Sequence, residues 1–370
     1  MEAAGFPADR EGLKNFAAIT DAESAAIRRE LRDALGLETN FDAPGQLLEA
    51  FAKVGVELPD TAESTLKRTD HAAAKLLLRY RAFEMARRLT PLTDIRPDGR
   101  IYSEFLPLGA ASGRFSSRDP NLQNVPRGTV RKYFGPTDPA RRLVVADYSQ
   151  IELRVASWIA NDQKMKEAFA RGEDLHRLTA AAILAKPVGQ VTKEDRQLAK
   201  AVNFGLLYGQ GAAGLVEYAA TTYGVTLDLL TATSIRAKFF NHYSGLAAWH
   251  RSAWERAKAT TEGRTETGRR LLIPETASDW TRFQARTNFP VQGSAADGLK
   301  YSMILLSDKL PAGACLIATV HDELICETDA SQAEEVRQLT VNSMLQGMRT
   351  VFPDMPCIVE ANVVSNWGEK

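Results

Sequence analysis

The sequence has little cysteine. Cys315, Cys326 and Cys357 make an odd count with no CxxC pair, which argues against a disulfide framework or a zinc site and for a reducing compartment. No apolar run approaches the roughly 20 residues that cross a bilayer, and Met1 to Arg10 carry neither a basic nor an apolar signal region, so neither a membrane span nor secretion is expected. Internal repeats and low-complexity tracts are missing too. Net charge is absent: 46 basic side chains stand against 46 acidic ones. What remains is ordinary globular composition, 44% hydrophobic and 25% charged over 370 residues, which excludes disorder, collagen and coiled coil. Such a length suits two or three packed lobes more than one core.

The zero net charge hides an uneven distribution. Residues 101–154 sum to +3, 236–286 to +5 and 287–370 to −6. A chain that grips phosphate in one place and metal cations in another needs such a division; scattered solvated faces explain the counts equally well.

Apolar positions recur at helical spacing in AAIRRELRDALGL, APGQLLEAFAKVGVEL and HAAAKLLLRYRAFEMARRL, so residues 24–90 read as helices, with Asp42 and Asp70 as candidate helix starters. A PDG turn places a lobe boundary near Arg96 to Arg100. In RRLVVADYSQIELRVASWIA, Leu143 to Ala146 read as a strand that delivers Asp147 at its end and is followed by a helix. From Lys164 to Gly263 the pattern is mostly helical, with breaks at Pro187, Gly209 to Gly211 and Gly224. A helix is predicted over Gly293 to Leu310, and CLIATVHDELICET reads as a tight hairpin turning at His321 and Asp322, where His and Asp tolerate positive φ.

Two carboxylates thus stand at strand ends, Asp147 after LVVA and Asp322 after LIATV. Either alone is more often a turn or cap residue. Together, with Glu323 adjacent and no His or Cys cluster nearby, they suggest an all-oxygen site for Mg²⁺. Two such ions suit an in-line phosphoryl displacement. VTKEDRQLAKAVNFGLLYGQG supplies a complement. Thr192 and Asp195 form a capping box that starts a helix ending near Gly209; Arg196, Lys200, Phe204 and Tyr208 follow one stripe, with Leu198, Val202 and Leu206 opposite. A surface helix with snorkelling cations fits the charges. It explains the aromatic pair poorly, whereas a nucleoside triphosphate would use the cations for phosphate and the rings for base.

Five segments carry a resemblance. SGRFSSRDPNLQNVPR (112–127), DYSQIELR (147–154), RQLAKAVNFGLLYG (196–209), NFPVQGSAAD (288–297) and VHDELICE (320–327) are similar, in order and spacing, to the polymerase domain of the family A (DNA polymerase I-like) DNA polymerases. The resemblance implies an α+β right-hand fold with an antiparallel palm sheet and mostly helical fingers and thumb. The thumb would be 1–98, the palm 99–160 and 287–370, and the fingers 161–286. It implies that Asp147, Asp322 and the Tyr148 backbone carbonyl hold two Mg²⁺ ions, for which Mn²⁺ can substitute, with Glu323 in support. Ser149, Gln150, Arg196, Lys200 and His176 would face the incoming nucleotide, Lys200 also protonating the departing pyrophosphate. Glu152 would exclude the 2′-hydroxyl, Phe204 would lie beside the sugar, and Tyr208 would stack near the template base. Arg114, Asn124, Asn288, Gln292 and His321 would contact primer-template DNA.

The resemblance further implies template-directed addition of deoxynucleotides to a primer 3′ end, by a monomer in a bacterial or phage-infected cytoplasm, near the nucleoid, with replication accessory proteins as further candidate partners. No proofreading nuclease is expected, since the helical pattern before the palm is already taken up by the thumb. One departure is Gln284, where the cellular enzymes usually carry a basic residue; Arg286 follows two positions later. Two rivals are a single-subunit RNA polymerase-like enzyme, which the bulk of Glu152 disfavours, and a non-catalytic DNA-binding module, which has no use for Asp147, Asp322, Arg196 and Lys200 together.

Overall fold

The computed structural model of the chain describes residues 1–35, 40–88, 95–128 and 130–370. A two-residue strand, β1 (Phe6–Pro7), precedes α1 (Arg10–Leu35), α2 (Pro44–Lys53), α3 (Glu63–Arg68) and α4 (Ala72–Arg88). Their apolar stripes meet in one core: Ile27, Leu31 and Leu35 of α1, Leu47 and Phe51 of α2, and Leu77 and Tyr80 of α4. The predicted helix ends at 36–37 and 89–90 lie outside the described residues. The predicted helix starters do not start their helices. Ala43 is the N-cap of α2 and Pro44 takes the first turn, where a missing N–H leaves nothing unsatisfied; α4 begins at Ala72, and Asp70 instead pairs with Lys75 at 2.9 Å.

Segment 1–98 divides between two cores. Phe6, Ala8 and Leu13 do not join the helical lobe but pack with Ile101, Phe134, Val145 and Trp367, and β1 pairs antiparallel with β2 (Arg100–Ile101). Hairpin β3 (Glu104–Leu106) and β4 (Ser116–Arg118) leads to β5 (Arg141–Tyr148). A long helical stretch follows: α5 (Ile151–Ile159), α6 (Gln163–Ala170), α7 (Leu175–Leu184), α8 (Lys193–Leu207), α9 (Ala212–Tyr223), α10 (Leu229–His242) and α11 (Ser244–Ala259). The expected breaks at Pro187, Gly209 to Gly211 and Gly224 are present, with further ones at 171–174 and at Tyr243. Gly224 closes α9 with φ +67°, which glycine adopts without steric cost. The hairpin β6 (Glu262–Arg264) and β7 (Arg270–Leu272) then leads to α12 (Asp279–Ser307). This helix begins fourteen residues before the predicted Gly293. Pro290, a helix breaker by sequence, lies inside it, and Ser278 caps it by accepting from the Thr281 N–H at 3.1 Å.

β8 (Cys315–Val320), β9 (Glu323–Asp329), α13 (Ala333–Val351) and β10 (Val359–Val364) complete the chain. The four-stranded antiparallel sheet has the order β10-β5-β9-β8, so the fold is α+β. Both faces are covered, and β5 accordingly reads as a continuous apolar run. Val144, Ala146 and Tyr148 pack toward Leu299, Met344 and Met348 of α12 and α13; Leu143 and Val145 pack toward Phe134 and Trp367. The β5–β9 register sets Asp147 opposite Glu323. The β8–β9 turn is the two residues His321 and Asp322, His321 taking φ +58° as its residue type permits. Among the described residues no helix is long and apolar enough to cross a membrane.

Helices α12 and α13 cross closely at Gly347, where an added Cβ would stand 2.2 Å from Ser302 Oγ and 2.4 Å from the Ser302 backbone N. Tyr148 is tied into this crossing: its hydroxyl donates to the Met344 carbonyl at 2.6 Å and lies 2.8 Å from Ser302 Oγ. Gly347→Ala is expected to overpack the crossing at about 1–3 kcal/mol, read as a lower urea midpoint at constant slope. An unchanged midpoint would show that the crossing has slack.

Candidate active site

Asp147 lies near the end of β5, Glu323 opens β9, and Asp322 fills the turn directly before it. Asp147 Oδ1 is buried without a hydrogen-bond partner, and its Oδ2 lies 3.1 Å from Lys370 Nζ. The same ammonium reaches Glu323 Oε2, while Trp367 Nε1 donates to Glu323 Oε1 at 2.9 Å. Burial pushes the Asp322 carboxyl up to about 6; its own backbone N–H opposes the shift and the neighbouring Asp147 charge adds to it. Among the described residues Asp322 forms no ion pair, and Asp147 keeps Oδ1 without a partner. An orphaned buried oxygen beside an all-oxygen donor set fits a hard divalent cation. Among the described residues no three His, Cys, Asp or Glu side chains surround one metal position, so a cation here takes backbone, water or substrate oxygens besides the carboxylates.

A second cluster forms around Glu152 in the first turn of α5, a helix entered through Gln150 at φ +54°. The Glu152 carboxylate accepts from the Arg114 guanidinium and from the Tyr208 hydroxyl. Burial and Glu152 together hold the Tyr208 phenol well above its ordinary value, with Gln292 beside the hydroxyl working the other way. His321 is held below its usual range by burial and by Arg114 and Arg127. The segment before Arg114 is fastened to α12 and its neighbours: Arg269 donates to the Ser112 carbonyl at 2.9 Å and Lys300 to the Gly113 carbonyl at 2.6 Å.

The third element is α8, started by the predicted capping box of Thr192 and Asp195. Its C-cap is Tyr208. Arg196 Nε donates to Asp174 Oδ2 at 2.7 Å, and the other oxygen of Asp174 caps α7 by accepting from the His176 and Arg177 N–H groups. Lys200 has no hydrogen bond or ion pair among the described residues. His176, expected to face the triphosphate, is 1% exposed. Its Nδ1 lies 2.8 Å from Asn203 Nδ2, which requires a neutral ring accepting at Nδ1, and burial pushes its pKa down to about 4. The ring packs against Phe204, 5.9 Å away, and in this tautomer its Nε2 carries the proton and remains a donor.

The remaining expected residues are spread more widely. The Ser149 N–H donates to the Ile358 carbonyl at 2.9 Å, and Gln150 Oε1 is buried without a partner. Asn124 is exposed at the end of a single turn, whereas its neighbour Gln123 donates to the Thr319 carbonyl at 2.9 Å. Asn288 and Gln292 lie one turn apart on α12 and so share a face. Gln284 is exposed, and Arg286 does not replace a basic side chain there: it is buried and donates to the Thr260 carbonyl at 2.9 Å. Sequence reasoning missed Lys370, Asp174 and Arg269. Asp174 had a signal, an acidic residue directly before a helix pattern; Lys370 had none.

The chain matches the family model described as DNA polymerase family A over residues 10–369. It is 34% identical to DNA polymerase I of Aquifex aeolicus, covering 99% of this chain and 65% of that protein. With DNA polymerase I of Pseudomonas aeruginosa it shares 34% identity over 93% of this chain and 40% of that protein. The chain therefore spans between two fifths and two thirds of the length of these relatives. A solved structure, the POL domain of Pol1 from M. smegmatis in complex with DNA primer-template and dNTP, superimposes with a TM-score of 0.88 at 28% identity, over 99% of this chain and 68% of that one.

Two buried histidines brace α8, His176 and His250, the latter donating from Nε2 to the Leu207 carbonyl at 2.9 Å. Burial pushes both down to about 4, against an unfolded value of about 6.5. Between these values the unfolded chain binds more protons. Their contribution is therefore complete above about pH 6.5 and is lost as pH falls toward 4, by up to ~3 kcal/mol each. Urea unfolding at about pH 7, 6 and 5 should show falling stability, with a shallower fall in His250→Asn; equal slopes in both proteins would place the protons elsewhere.

Proposed function

The chain belongs to DNA polymerase family A, and from that premise we propose that it adds deoxynucleotides to a primer 3′ end as directed by a template. The observation that carries this reading is the pairing of cation-deficient carboxylates at Asp147 and Asp322 with the cationic and aromatic face of α8. In this reading residues 1–98 serve mainly as thumb, 99–160 and 287–370 as palm and 161–286 as fingers. The family match takes up residues 10–369, so the proposal assigns these residues to synthesis and none to proofreading. The bacterial relatives support a cytoplasmic setting.

Asp147, Asp322 and the Tyr148 backbone carbonyl would hold two Mg²⁺ ions, which when bound supply Lewis-acid activation of the primer hydroxyl and charge neutralisation at the phosphates. The protein's own groups do the rest. Arg196 and Lys200 receive the triphosphate, Arg196 exchanging Asp174 for phosphate oxygen. Lys200, which has no hydrogen bond or ion pair among the described residues, donates a proton to the leaving pyrophosphate oxygen. Glu152, clamped by Arg114 and Tyr208, fills the space beside the sugar carbon that bears a 2′-hydroxyl in ribonucleotides. Phe204 packs against the sugar, and Ser149 and Gln150 line the nucleotide's approach. Arg114, Gln292, His321 and Asn288 face the primer-template minor groove, where acceptors common to every base pair allow contact without sequence preference. Asn124 would be a further contact to the DNA.

Asp147→Asn or Asp322→Asn should abolish primer extension while leaving duplex affinity and its salt dependence intact, because cations elsewhere hold the phosphates. Calorimetric titration with Mn²⁺ should show the lost ion directly. Extension by either variant at the wild-type rate would end the two-carboxylate assignment. Glu152→Ala should narrow the preference for deoxynucleotides over ribonucleotides by about 5- to 100-fold, since a buried hydroxyl without a partner costs about 1–3 kcal/mol. Competition between the two nucleotide types measures it, and unchanged discrimination would move the gate to another side chain.

A further inference from the structure

Both oxygens of Glu323 are taken by one short turn of the chain. Trp367 Nε1 donates to Oε1 at 2.9 Å, and the Lys370 ammonium donates to Oε2. The same ammonium stands 3.1 Å from Asp147 Oδ2, so it bridges the two carboxylates that the β5–β9 register sets opposite each other. The turn that carries it is anchored. Trp367 is buried with Phe6 and Phe134, its backbone N–H donates to the Phe134 carbonyl at 2.8 Å, and the Arg131 guanidinium lies 3.7 Å from its ring centroid. Gly368 packs onto the backbone of Lys132, where an added Cβ would stand 2.7 Å from the nitrogen. Glu369 ties the turn back by accepting from the Ser365 N–H at 2.8 Å. The fold therefore delivers Lys370 to the carboxylates. Its side chain is 20% exposed against 6% for Glu323, so the ammonium has a way out that Glu323 lacks.

This placement bears on cations under the two-ion reading proposed above, on which the inference rests. Two ions served by Asp147, Asp322 and a single carbonyl have so few donors that a carboxylate must give one oxygen to each. Asp147 has Oδ1 to give, since it is without a partner. Its Oδ2 already faces Lys370. An ammonium is a compact charge with three donors and no acceptor, so it neutralises a carboxylate oxygen but repels a second cation brought to the same place. We propose that Lys370 is a built-in counter-ion that holds the place of one divalent cation at Asp147 and withdraws onto Glu323 when that cation binds. Glu323 is then the permanent partner of the ammonium. With Trp367 on its other oxygen it keeps Lys370 within reach, and the exchange at Asp147 leaves no buried charge unpaired. A lysine that served stability alone would need only Glu323, the more buried of the two carboxylates.

The test is calorimetric titration of the full chain with Mn²⁺, without DNA or nucleotide. Lys370→Met keeps much of the bulk and removes the charge, and it should take up Mn²⁺ about tenfold more tightly than wild type, the lower end of what a close charge pair is worth. Lys370→Arg retains a cation and should stay near wild type. The gain should persist in added salt, because a direct contact is screened far less than a general field. In chelator Lys370→Met should unfold at a lower temperature than wild type, and saturating Mn²⁺ should remove the deficit, the ion replacing the lost charge. No gain in affinity, a gain that salt abolishes, or a deficit that Mn²⁺ leaves in place would each overturn the counter-ion. Primer extension separates the two readings. Wild type that extends primers while Lys370→Met shows no gain would overturn the counter-ion alone; wild type that neither extends primers nor takes up Mn²⁺ would overturn both.

Discussion

The structure depends on holding negative charge at the end of a buried sheet. β5 is covered on both faces, and Asp147 and Glu323 stand opposite each other where it ends, in surroundings that push Asp322 up to about 6. Like charges in such a place repel and are poorly solvated. They persist because the backbone around them cannot move apart. The antiparallel register fixes the strands, the two-residue turn fixes Asp322, and the Tyr148 hydroxyl fastens β5 to the α12–α13 crossing. Rigidity of this kind suits carboxylates proposed to hold a cation.

Most of the charges around the site are met from within the chain. Lys370 serves Asp147 and Glu323, Asp174 serves Arg196, and Arg114 with Tyr208 serves Glu152. The Asp174–Arg196 pair leaves a third of each side chain in solvent, so its net worth is in the range of about 0–1 kcal/mol. In the proposed reading a triphosphate with several charged oxygens would exchange for Asp174 at little cost, and Asp174 would keep its second role as the cap of α7. Glu152 is different. Its partners are more deeply enclosed, which suits a side chain proposed to block space and not to move.

What was legible in the sequence was local. The capping box of α8, the strand ending at Asp147, the hairpin turning at His321 and Asp322, and the glycine and proline breaks each depend on neighbours within a few residues, and each is where the pattern placed it. The misreadings involve context or distance. The helix expected from Gly293 in fact starts at Asp279 and runs through Pro290. Phe6 and Leu13 look like helix-lobe residues but find their partners at Ile101, Phe134 and Trp367. That Asn203 meets His176 Nδ1 is visible only in the fold. Lys370 meets carboxylates more than 45 positions away, for which no spacing rule exists.

Arg269 shows how such distant contacts build a site from separate pieces. Its guanidinium donates to Asp297 Oδ1 at 3.0 Å, to the Gly293 carbonyl at 3.1 Å and to the Ser112 carbonyl at 2.9 Å. Asp297 is buried, so the pair resists exchange with water, and loss of either partner would strand a charge. Gly113 has to be glycine for the same reason: φ is +81°, and a Cβ would fall 2.1 Å from an Arg269 nitrogen. One side chain therefore sets the height of the Arg114 segment against the turn of α12 that carries Gln292. Arg114 and Gln292 come from segments some 180 positions apart, and both arrive beside Glu152 and Tyr208. The spacing between two proposed minor-groove contacts is thus fixed by a residue that needs to touch no DNA.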